Sequence, residues 1–256
     1  MTCSLSRALL PVAFACLGAS AVHAQSDAER HPGWSLGVAA AWSPSPYRSY
    51  DNKAWPLPLV NYEGKSFYFR GASFGYRLFT TASSELSLVA SPMTERFRHQ
   101  DASDARLKRL SDRDISGMAG VAWRYRADWG VLKASAQKEF TGHGGGVQLD
   151  AGYGYPIRSG NLVLTPTVGV MRRNGALDDY YYGVGANEAA RSGLAAYRAG
   201  GGNLPYLDLA AAYRLSPRWN VAGGMRYTRL PDAIKDSPMV DADHTRSFFF
   251  AISHSF

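Results

Sequence analysis

Apolar residues alternate with polar or small residues at a period of two along much of this 256-residue chain. Between positions 34 and 42, tryptophan, leucine, valine and alanine hold the even positions, while serine, glycine and alanine hold the odd ones. The runs 147–155, 206–213 and 221–228 repeat this alternation. Such a period is typical of β-strands with one apolar face, so the sequence predicts an all-β protein.

The alternating runs and the turn residues between them define the extended segments. There are twelve: residues 34–42, 57–63, 65–71, 73–79, 85–91, 115–126, 131–140, 146–156, 161–172, 204–214, 218–229 and 246–256. Gly71-Ala72 is a poor hairpin turn, so the region 57–79 is also compatible with one kinked strand. A barrel with both termini on the periplasmic side needs an even number of strands. Twelve strands are therefore the prediction, and ten are the alternative.

Short turns and long loops alternate between these segments. The short turns are 127–130, 158–161 and 216–218, and the long loops are 43–55, 93–114, 174–203 and 230–244. Counted from the C terminus, the long loops fall at one end of the strands and these short turns at the other. Outer-membrane barrels have short periplasmic turns and longer extracellular loops, and a membrane-spanning sheet must close because hydrocarbon offers no partner to free backbone groups. We therefore predict a closed antiparallel transmembrane β-barrel in the cell outer membrane.

The last strand carries a further sign of such a barrel. The chain ends in Phe256, and Phe248, Phe250, Ile252 and His254 share its face. This ending resembles the signal that the barrel assembly machinery recognises, so we predict that role for Phe248, Phe250, Ile252 and Phe256. Tryptophans near strand ends are expected in the interfacial aromatic girdles. They are Trp34, Trp42, Trp55, Trp123, Trp129 and Trp219.

The N terminus has the features of a secretory signal peptide, with a positively charged start and a short, mostly apolar core. We predict cleavage between Ala24 and Gln25, which divides the chain into a signal peptide (1–24) and a barrel (25–256). The rival interpretation is a lipoprotein cleaved before Cys16, and the phenylalanine two positions ahead of that cysteine argues against it.

Cysteine and charge narrow the class of protein further. The two cysteines, at positions 3 and 16, both lie in the predicted signal peptide, which excludes a disulfide-stapled secreted domain. The net charge of +7 is spread along the chain, and the densest basic stretch, 96–113, contains three aspartates. Nucleic-acid binding would need an uninterrupted basic face and a known motif. We expect outer-membrane lipid, and no nucleic acid, as a partner.

Two fragments resemble hydrolase motifs outside their usual context. Residues 71–75 fit G-x-S-x-G and residues 143–146 fit an H-G-G-G oxyanion loop, but their order is reversed and no helix follows Ser73. A barrel hydrolase would instead place a serine beside a histidine on its wall. The candidate histidines are His99, His143, His244 and His254, and no partner is evident for them in the sequence.

Other chemistry is equally weakly indicated. Asp178-Asp179 is interpreted as an exposed loop tip in preference to a weak site for a divalent cation, and the chain has no metal-ligand spacing, phosphate loop or nucleotide fingerprint. We therefore predict no catalytic, cofactor-binding or metal-binding residues, and a protein that is not an enzyme.

Several stretches resemble one known family. The run Tyr181-Tyr182-Gly183-Val184, then Arg191 and Gly193 within 188–194, then Tyr197, resembles the signature loop of the MipA/OmpV family. Residues 58–64, 67–71 and 75–78 resemble that family's N-terminal block, and the terminal phenylalanine is similar too. The resemblance covers nearly the whole predicted barrel.

The resemblance implies an outer-membrane scaffold. The name-giving member binds a murein lytic transglycosylase, MltA, and bridges it to a bifunctional penicillin-binding protein. We accordingly expect a protein that anchors peptidoglycan-remodelling enzymes at the outer membrane. Such a scaffold would bind through its short periplasmic turns, where Arg158, Arg218 and Trp129 would matter. The family implies no catalytic residues.

Two other functions remain open. A small pore or transporter with a basic lumen would use arginines of the strands, either to favour anions or to pair with Asp150, Asp208 and Glu139. These arginines are Arg70, Arg77, Arg124, Arg126, Arg172, Arg214 and Arg226. A surface adhesin would use the long loops, above all 174–203, in which residues 187–199 fit a short helix and a plain surface loop equally well.

Overall fold

The structure is a computed structural model that describes residues 33–50 and 54–256. The predicted signal peptide and its cleavage site at Ala24 and Gln25 lie outside the described residues. The strands are β1 (Gly33–Trp42), β2 (Trp55–Glu63), β3 (Phe67–Arg70), β4 (Ser73–Thr80), β5 (Ser84–Met93), β6 (Ser116–Ala127), β7 (Gly130–Glu139), β8 (Val147–Gly154), β9 (Ile157–Ser159), β10 (Leu162–Arg173), β11 (Gly202–Arg214), β12 (Trp219–Arg229) and β13 (His244–Ser255). The helices are α1 (Gly175–Tyr182), α2 (Ala186–Ser192) and α3 (Asp232–Lys235), and two 3-10 turns span His99–Asp101 and Leu107–Arg109.

The strands form one antiparallel sheet that closes on itself. Neighbours in sequence pair with each other, and β1 completes the circle by pairing with β13. At this seam Leu36 lies opposite His254, and Trp42 lies opposite Phe248. The predicted closed antiparallel barrel is confirmed.

The barrel wall has twelve strands, because two of the strand segments belong to one. β8 and β9 both pair with β10, at residues 167–173 and 162–164 respectively. Between them lies Pro156, which has no N–H to give to a ladder. The predicted count is therefore confirmed, and the region 57–79 forms three strands rather than one. Gly71 allows the tight turn between β3 and β4, since its φ of 62° lies in the left-handed region that glycine enters without steric cost.

The alternation of the sequence produces an apolar outer face and a largely polar inner face. On β1 the even residues, from Trp34 to Trp42, are the more exposed ones, and the odd residues face the lumen. The tryptophans at positions 123, 129 and 219 are also exposed on the outside, as expected for girdles, whereas the side chain of Trp55 lies outside the described part of the chain. No helix in the described ranges is both long and apolar enough to cross a membrane.

The two ends of the barrel differ greatly in size. Tight turns, such as 128–129 and 160–161, join strands at the end where the chain terminates. At the opposite, extracellular end the long loops fold together into one layer, which we call the cap. The cap consists of the described residues 43–50, 94–115, 174–201 and 230–243. Its three short helices lie across the barrel mouth.

Candidate functional site

The cap has an apolar core to which all of its long loops contribute. Phe97, Leu107, Tyr181, Ile234 and Met239 are each fully buried in it. Three inward-facing strand residues continue this core into the barrel mouth: Met93, Met118 and Leu204. Burial of apolar surface is the main stabilising contribution in such a layer. The cap therefore fills the mouth in the manner of a small soluble domain.

The predicted signature loop lies at the centre of the cap. The Tyr181 hydroxyl donates to the Ser116 hydroxyl at 2.7 Å, and the Tyr181 carbonyl accepts from the Tyr47 hydroxyl at 3.0 Å. The Tyr182 carbonyl accepts from the Ser237 hydroxyl at 2.6 Å. Burial raises the pKa of Tyr47 well above its usual value, so this hydroxyl keeps the proton that it donates. These bonds join the loop to β6 and to two other segments of the cap.

An ion pair joins the same loop to the loop before β6. Both terminal nitrogens of Arg113 donate to the Glu188 carboxylate, at 3.1 and 2.8 Å. Glu188 also accepts from the backbone N–H groups of Ser111 and Gly185. Burial alone would raise the pKa of Glu188, but these hydrogen bonds, led by that from Arg113, lower it to about 2. The carboxylate is therefore charged at neutral pH.

The other signature residues also have structural contacts. Val184 pairs through its backbone with Tyr197. Gly193 ends α2 with a φ of 74°, a left-handed conformation suited to glycine. The Arg191 Nε donates to the carbonyl of Arg109 at 2.5 Å. The residues of this motif therefore make the contacts of a packed layer. The sequence alone did not reveal this structural reason for the motif.

The interpretation of Asp178-Asp179 as an exposed loop tip is wrong for Asp178. This residue is fully buried, because α1 lies across the mouth with Asp178 turned toward the end of β10. Its Oδ1 is 3.6 Å from Nη1 of Arg173, and burial raises its pKa to about 6. Asp179 accepts a hydrogen bond from the backbone of Ala199. Within the described ranges no group of three histidine, cysteine or acidic residues is placed to hold a metal ion.

The candidate histidines have neighbours that the sequence did not reveal. These are Asp112 for His99, Ser116 for His143, Asp243 for His244 and Trp219 for His254. The distance from Ser116 Oγ to His143 Nδ1 is 3.3 Å. Ser116 is nevertheless fully buried under Tyr181, so its hydroxyl is inaccessible to a substrate.

Charged side chains connect strands inside the barrel, beside a small apolar cluster of Ala210, Ala222 and Phe249. Arg70 and Arg77 each contact the Glu63 carboxylate at 2.5 Å, and Arg77 also contacts Glu85 at 3.0 Å. The two guanidinium groups lie 3.7 and 4.8 Å from the ring centre of Tyr68. A cation over an aromatic face is attracted to it. This network braces the wall beside the β3–β4 hairpin.

A second network lies on β8, β11 and β12. Arg226 donates to both carboxylate oxygens of Asp208, at 2.5 and 2.7 Å, which is one of the predicted pairings. Asp150 instead accepts from the Tyr206 hydroxyl at 3.2 Å. Glu139 lies at the top of β7 and accepts from backbone groups of the turn that follows. It supports that turn, and no arginine of the described residues is paired with it.

The strand arginines do not all face the lumen. Those at positions 70, 77, 124, 126 and 226 occupy inward-facing positions of their strands. Arg172 is exposed on the outer face, where it donates to Asn203 at 3.0 Å, so a luminal position is wrong for it. Its place near the extracellular end of β10 lets the long side chain reach the head-group region. Arg214 is exposed at the periplasmic end of β11.

A cavity of about 610 Å³ lies under the cap. Its wall is partly apolar, with Leu57, Met118 and Leu204, and partly charged, with Arg173 and Arg226. Its size falls within the range of roughly 300–1,000 Å³ found for ligand pockets.

The periplasmic end presents a small basic surface, which we call the rim. Its exposed cations are Lys65, Arg158, Arg214 and Arg218. Trp129 is 51% exposed in the turn between β6 and β7, next to the acidic Asp128. The structure thus places the predicted residues Arg158, Arg218 and Trp129 at the same end of the barrel.

The predicted assembly residues lie on the outer surface. Phe248 and Phe250 are exposed on the lipid-facing side of β13, and Ile252 follows them on the same face. Phe256 is 76% exposed just beyond the strand. Their recognition by the assembly machinery stays a prediction.

Comparison with known proteins gives consistent matches over almost the whole described chain. The family model described as MltA-interacting protein MipA matches residues 36–256. The MltA-interacting protein of Escherichia coli K12 is 36% identical over 223 residues, which cover 87% of this chain and 90% of that protein. The putative outer membrane protein YiaT of the same strain is 37% identical over 222 residues, with the same coverage of 87% and 90%. Outer membrane protein OmpV of Vibrio cholerae is 24% identical over 209 residues, covering 82% and 81%.

Proposed function

The chain belongs to the MltA-interacting protein MipA family, and from this we propose that it is an outer-membrane scaffold that anchors peptidoglycan-remodelling enzymes. The partners would be a murein lytic transglycosylase and a penicillin-binding protein. The observation that carries this proposal is the 36% identity, over 87% of the chain, to a relative named for its interaction with MltA.

The shape of the molecule supports binding at the periplasmic end. The cap fills the extracellular mouth with a packed core, and the loop 174–201, the best candidate for an adhesin, contributes six buried residues to that core. The rim offers cations that steer an acidic partner. An exposed tryptophan, Trp129, is of the residue type that most often contributes a large share of binding energy.

Affinity capture tests the proposal. The refolded protein from Gln25 onward would be immobilised and exposed to a detergent extract of its own cell envelope. We expect retention of a lytic transglycosylase together with a penicillin-binding protein. The double variant Arg158→Glu/Arg218→Glu should lose them, because it replaces the cationic rim by an anionic one.

The matched control makes the same charge change at the opposite end. Arg106→Glu/Lys108→Glu alters two exposed residues of the cap and should retain both enzymes. If folded wild-type protein captures no murein enzyme, or if both variants behave alike, the scaffold role through the rim is wrong.

A small pore is the second candidate function. Arg124 and Lys133 lie directly opposite each other on inward-facing positions of β6 and β7. Like charges in this arrangement repel each other, and a passing anion would relieve that repulsion. Conduction would require a path past the cap.

A further inference from the structure

The barrel wall has a gap above the β3–β4 hairpin, because those two strands are short. The ladder between β2 and β3 ends at Asn61 opposite Arg70, and the ladder between β4 and β5 ends at Ala90 opposite Phe74. β2 continues up to Trp55 and β5 continues up to Met93, each paired only on its far side, with β1 and β6. The upper parts of β2 and β5 therefore face each other without intervening strands.

Prolines occupy the free edge of β2. The Val60 carbonyl accepts from the Gly71 N–H at 3.1 Å, so the backbone groups of Val60 point toward β3. In an extended strand this direction alternates from residue to residue, so positions 58 and 56 point into the gap. Both are proline, which has no N–H. This edge of β2 therefore has two fewer N–H groups, which would have no hydrogen-bond partner in hydrocarbon.

The facing edge of β5 has the same feature. The Ser84 carbonyl accepts from Thr81, which shows that the even residues of β5 direct their backbone toward β4. The first even residue beyond the end of the β4 ladder is Pro92. Prolines on both edges also prevent another strand from completing a ladder there. The two edges are therefore suited to staying open.

The β2 edge of the gap lies at the depth of the membrane. Pro58 is opposite Val38, which is 59% exposed on the outer face of β1. Val38 lies midway between the exposed Trp34 and Trp42. Eight residues at about 3.3 Å each separate these tryptophans by about 26 Å along the strand, close to the apolar band of roughly 25 Å in such barrels. The gap thus opens toward hydrocarbon.

The cavity beneath the cap reaches this gap. Leu57 on one side, and Ser91 and Pro92 on the other, line both. Pro92 is one of the even-numbered residues of β5, which face outward, so a cavity that contacts Pro92 extends into the wall. The three arginines that line the cavity each have a carboxylate neighbour: Glu95 for Arg173, Asp101 for Arg96 and Asp208 for Arg226. Arg173 nevertheless keeps two buried nitrogens, Nε and Nη1, that have no hydrogen-bond partner. An apolar entrance thus leads to a cavity with two unused guanidinium donors.

We propose that the gap is a lateral portal through which an amphiphile with one hydrocarbon chain and an acidic head group enters the cavity from the membrane. The chain would occupy the portal beside Leu57 and the prolines. The head group would accept hydrogen bonds from Nε and Nη1 of Arg173. A long-chain fatty acid is the simplest molecule with this chemistry.

The openness of the portal can be tested by lipid-borne quenching. The chain from Gln25 onward has no cysteine, so a single introduced thiol can carry a fluorophore. Ser91→Cys reports on the portal, Val38→Cys reports on the lipid-facing wall, and Ser135→Cys reports on an inward position of β7 between paired neighbours. In bilayers with nitroxide-labelled acyl chains, we expect Ser91 to be quenched nearly as strongly as Val38. Quenching as weak as that of Ser135 would show a closed wall and overturn the proposal.

Ligand binding can be measured with spin-labelled stearic acid and the refolded protein. Leu57→Trp narrows the portal and should weaken binding about tenfold or more, equivalent to at least about 1.4 kcal/mol. Val38→Trp adds the same bulk on the outer face and should leave binding unchanged. Equal binding by both variants, or no preference for the acid over its methyl ester, would overturn the proposal. If Leu57→Trp does not fold, the quenching of Ser91→Cys decides the question.

Discussion

The cap and the barrel lumen are both enclosed, yet opposite chemistry stabilises them. The cap is held by apolar side chains such as Phe97 and Ile234, with no exposure to solvent. The lumen is held by charged pairs such as Arg226 with Asp208 and Arg77 with Glu85. The two regions meet at the tops of the strands, where the inward-facing residues Met93, Met118 and Leu204 join the cap core.

The difference follows from what surrounds each region. The outer face of the barrel must be apolar because it contacts lipid, so the alternating strands leave polar and small residues for the interior. The cap lies in water and can use the hydrophobic effect in the ordinary way. We therefore expect the cap to respond to core truncation and to pH, while the hydrogen-bonded wall stays assembled.

The largest effect is expected from Tyr181→Ala. It removes a fully buried ring and should destabilise the cap by about 3–5 kcal/mol. Near-ultraviolet circular dichroism in urea would follow the cap, and heat-modifiable migration in gels would follow the barrel. Tyr181→Phe is the control, since it keeps the ring and loses only the hydrogen bonds of the hydroxyl to Ser116 and to the Asp114 carbonyl, worth about 1 kcal/mol each. Simultaneous loss of both signals would show that the regions are not separable.

A smaller effect is expected from Arg226→Gln in the lumen. It leaves the Asp208 carboxylate without its two charge-assisted bonds, at a cost of about 2–3 kcal/mol to the barrel. The cap signal should not change. Adding Asp208→Asn should recover part of the loss, because the stranded charge is removed. A double variant that is as unstable as the sum of the single variants would contradict an interaction between these residues.

Acid should weaken the cap through Glu188. Because its pKa is lowered in the folded state, the charged carboxylate stabilises the cap above the ordinary value of 4.5, and this is lost as the pH falls toward about 2. The contribution of one such charged hydrogen-bonded group is about 1.5–2 kcal/mol. Urea titrations of the cap signal across this range would show it. In Glu188→Gln this part of the pH dependence should be absent, and its persistence would point to another group.

The smallest effect is expected from glycine-to-alanine substitutions, one in the cap and one in the barrel. Gly193 in the cap and Gly160 in a periplasmic turn have φ of 74° and 55°, and nothing lies within 4 Å of a Cβ at either position. Alanine should cost about 1–2 kcal/mol at each through backbone strain alone. Gly193→Ala should lower only cap stability, and Gly160→Ala only that of the barrel. If Gly193→Ala lowered the stability of the barrel, or Gly160→Ala that of the cap, the two regions would not be stabilised separately.

The barrel could be predicted from the sequence because lipid imposes a regular pattern. Alternation over runs such as 34–42 and 221–228 predicted the strands, and the placement of both termini on the periplasmic side required an even count. The local shape of the wall was less predictable. The short hairpin at Gly71 was recognised only as a poor turn, and its consequence, a gap flanked by prolines, depends on where the ladders end.

The cap could not be predicted in the same way. Phe97, Leu107 and Ile234 come from loops far apart in sequence and follow no period, so nothing local shows that they meet. The sequence did contain one indication of the cap core, since these apolar residues stand alone in otherwise charged loops. The burial of Asp178 was missed for a related reason, because its partner Arg173 is recognised only when α1 is placed over the mouth.

Single-channel recording in a planar bilayer tests most directly whether the cap closes the barrel, the feature that distinguishes the proposed scaffold from a pore. The intact protein should show no sustained conductance. Replacing residues 175–201 with a short glycine–serine linker should produce conductance steps, because the signature loop supplies the centre of the cap core. Sustained conductance by intact protein, with a cap that still resists protease, would contradict the closed scaffold and favour the pore.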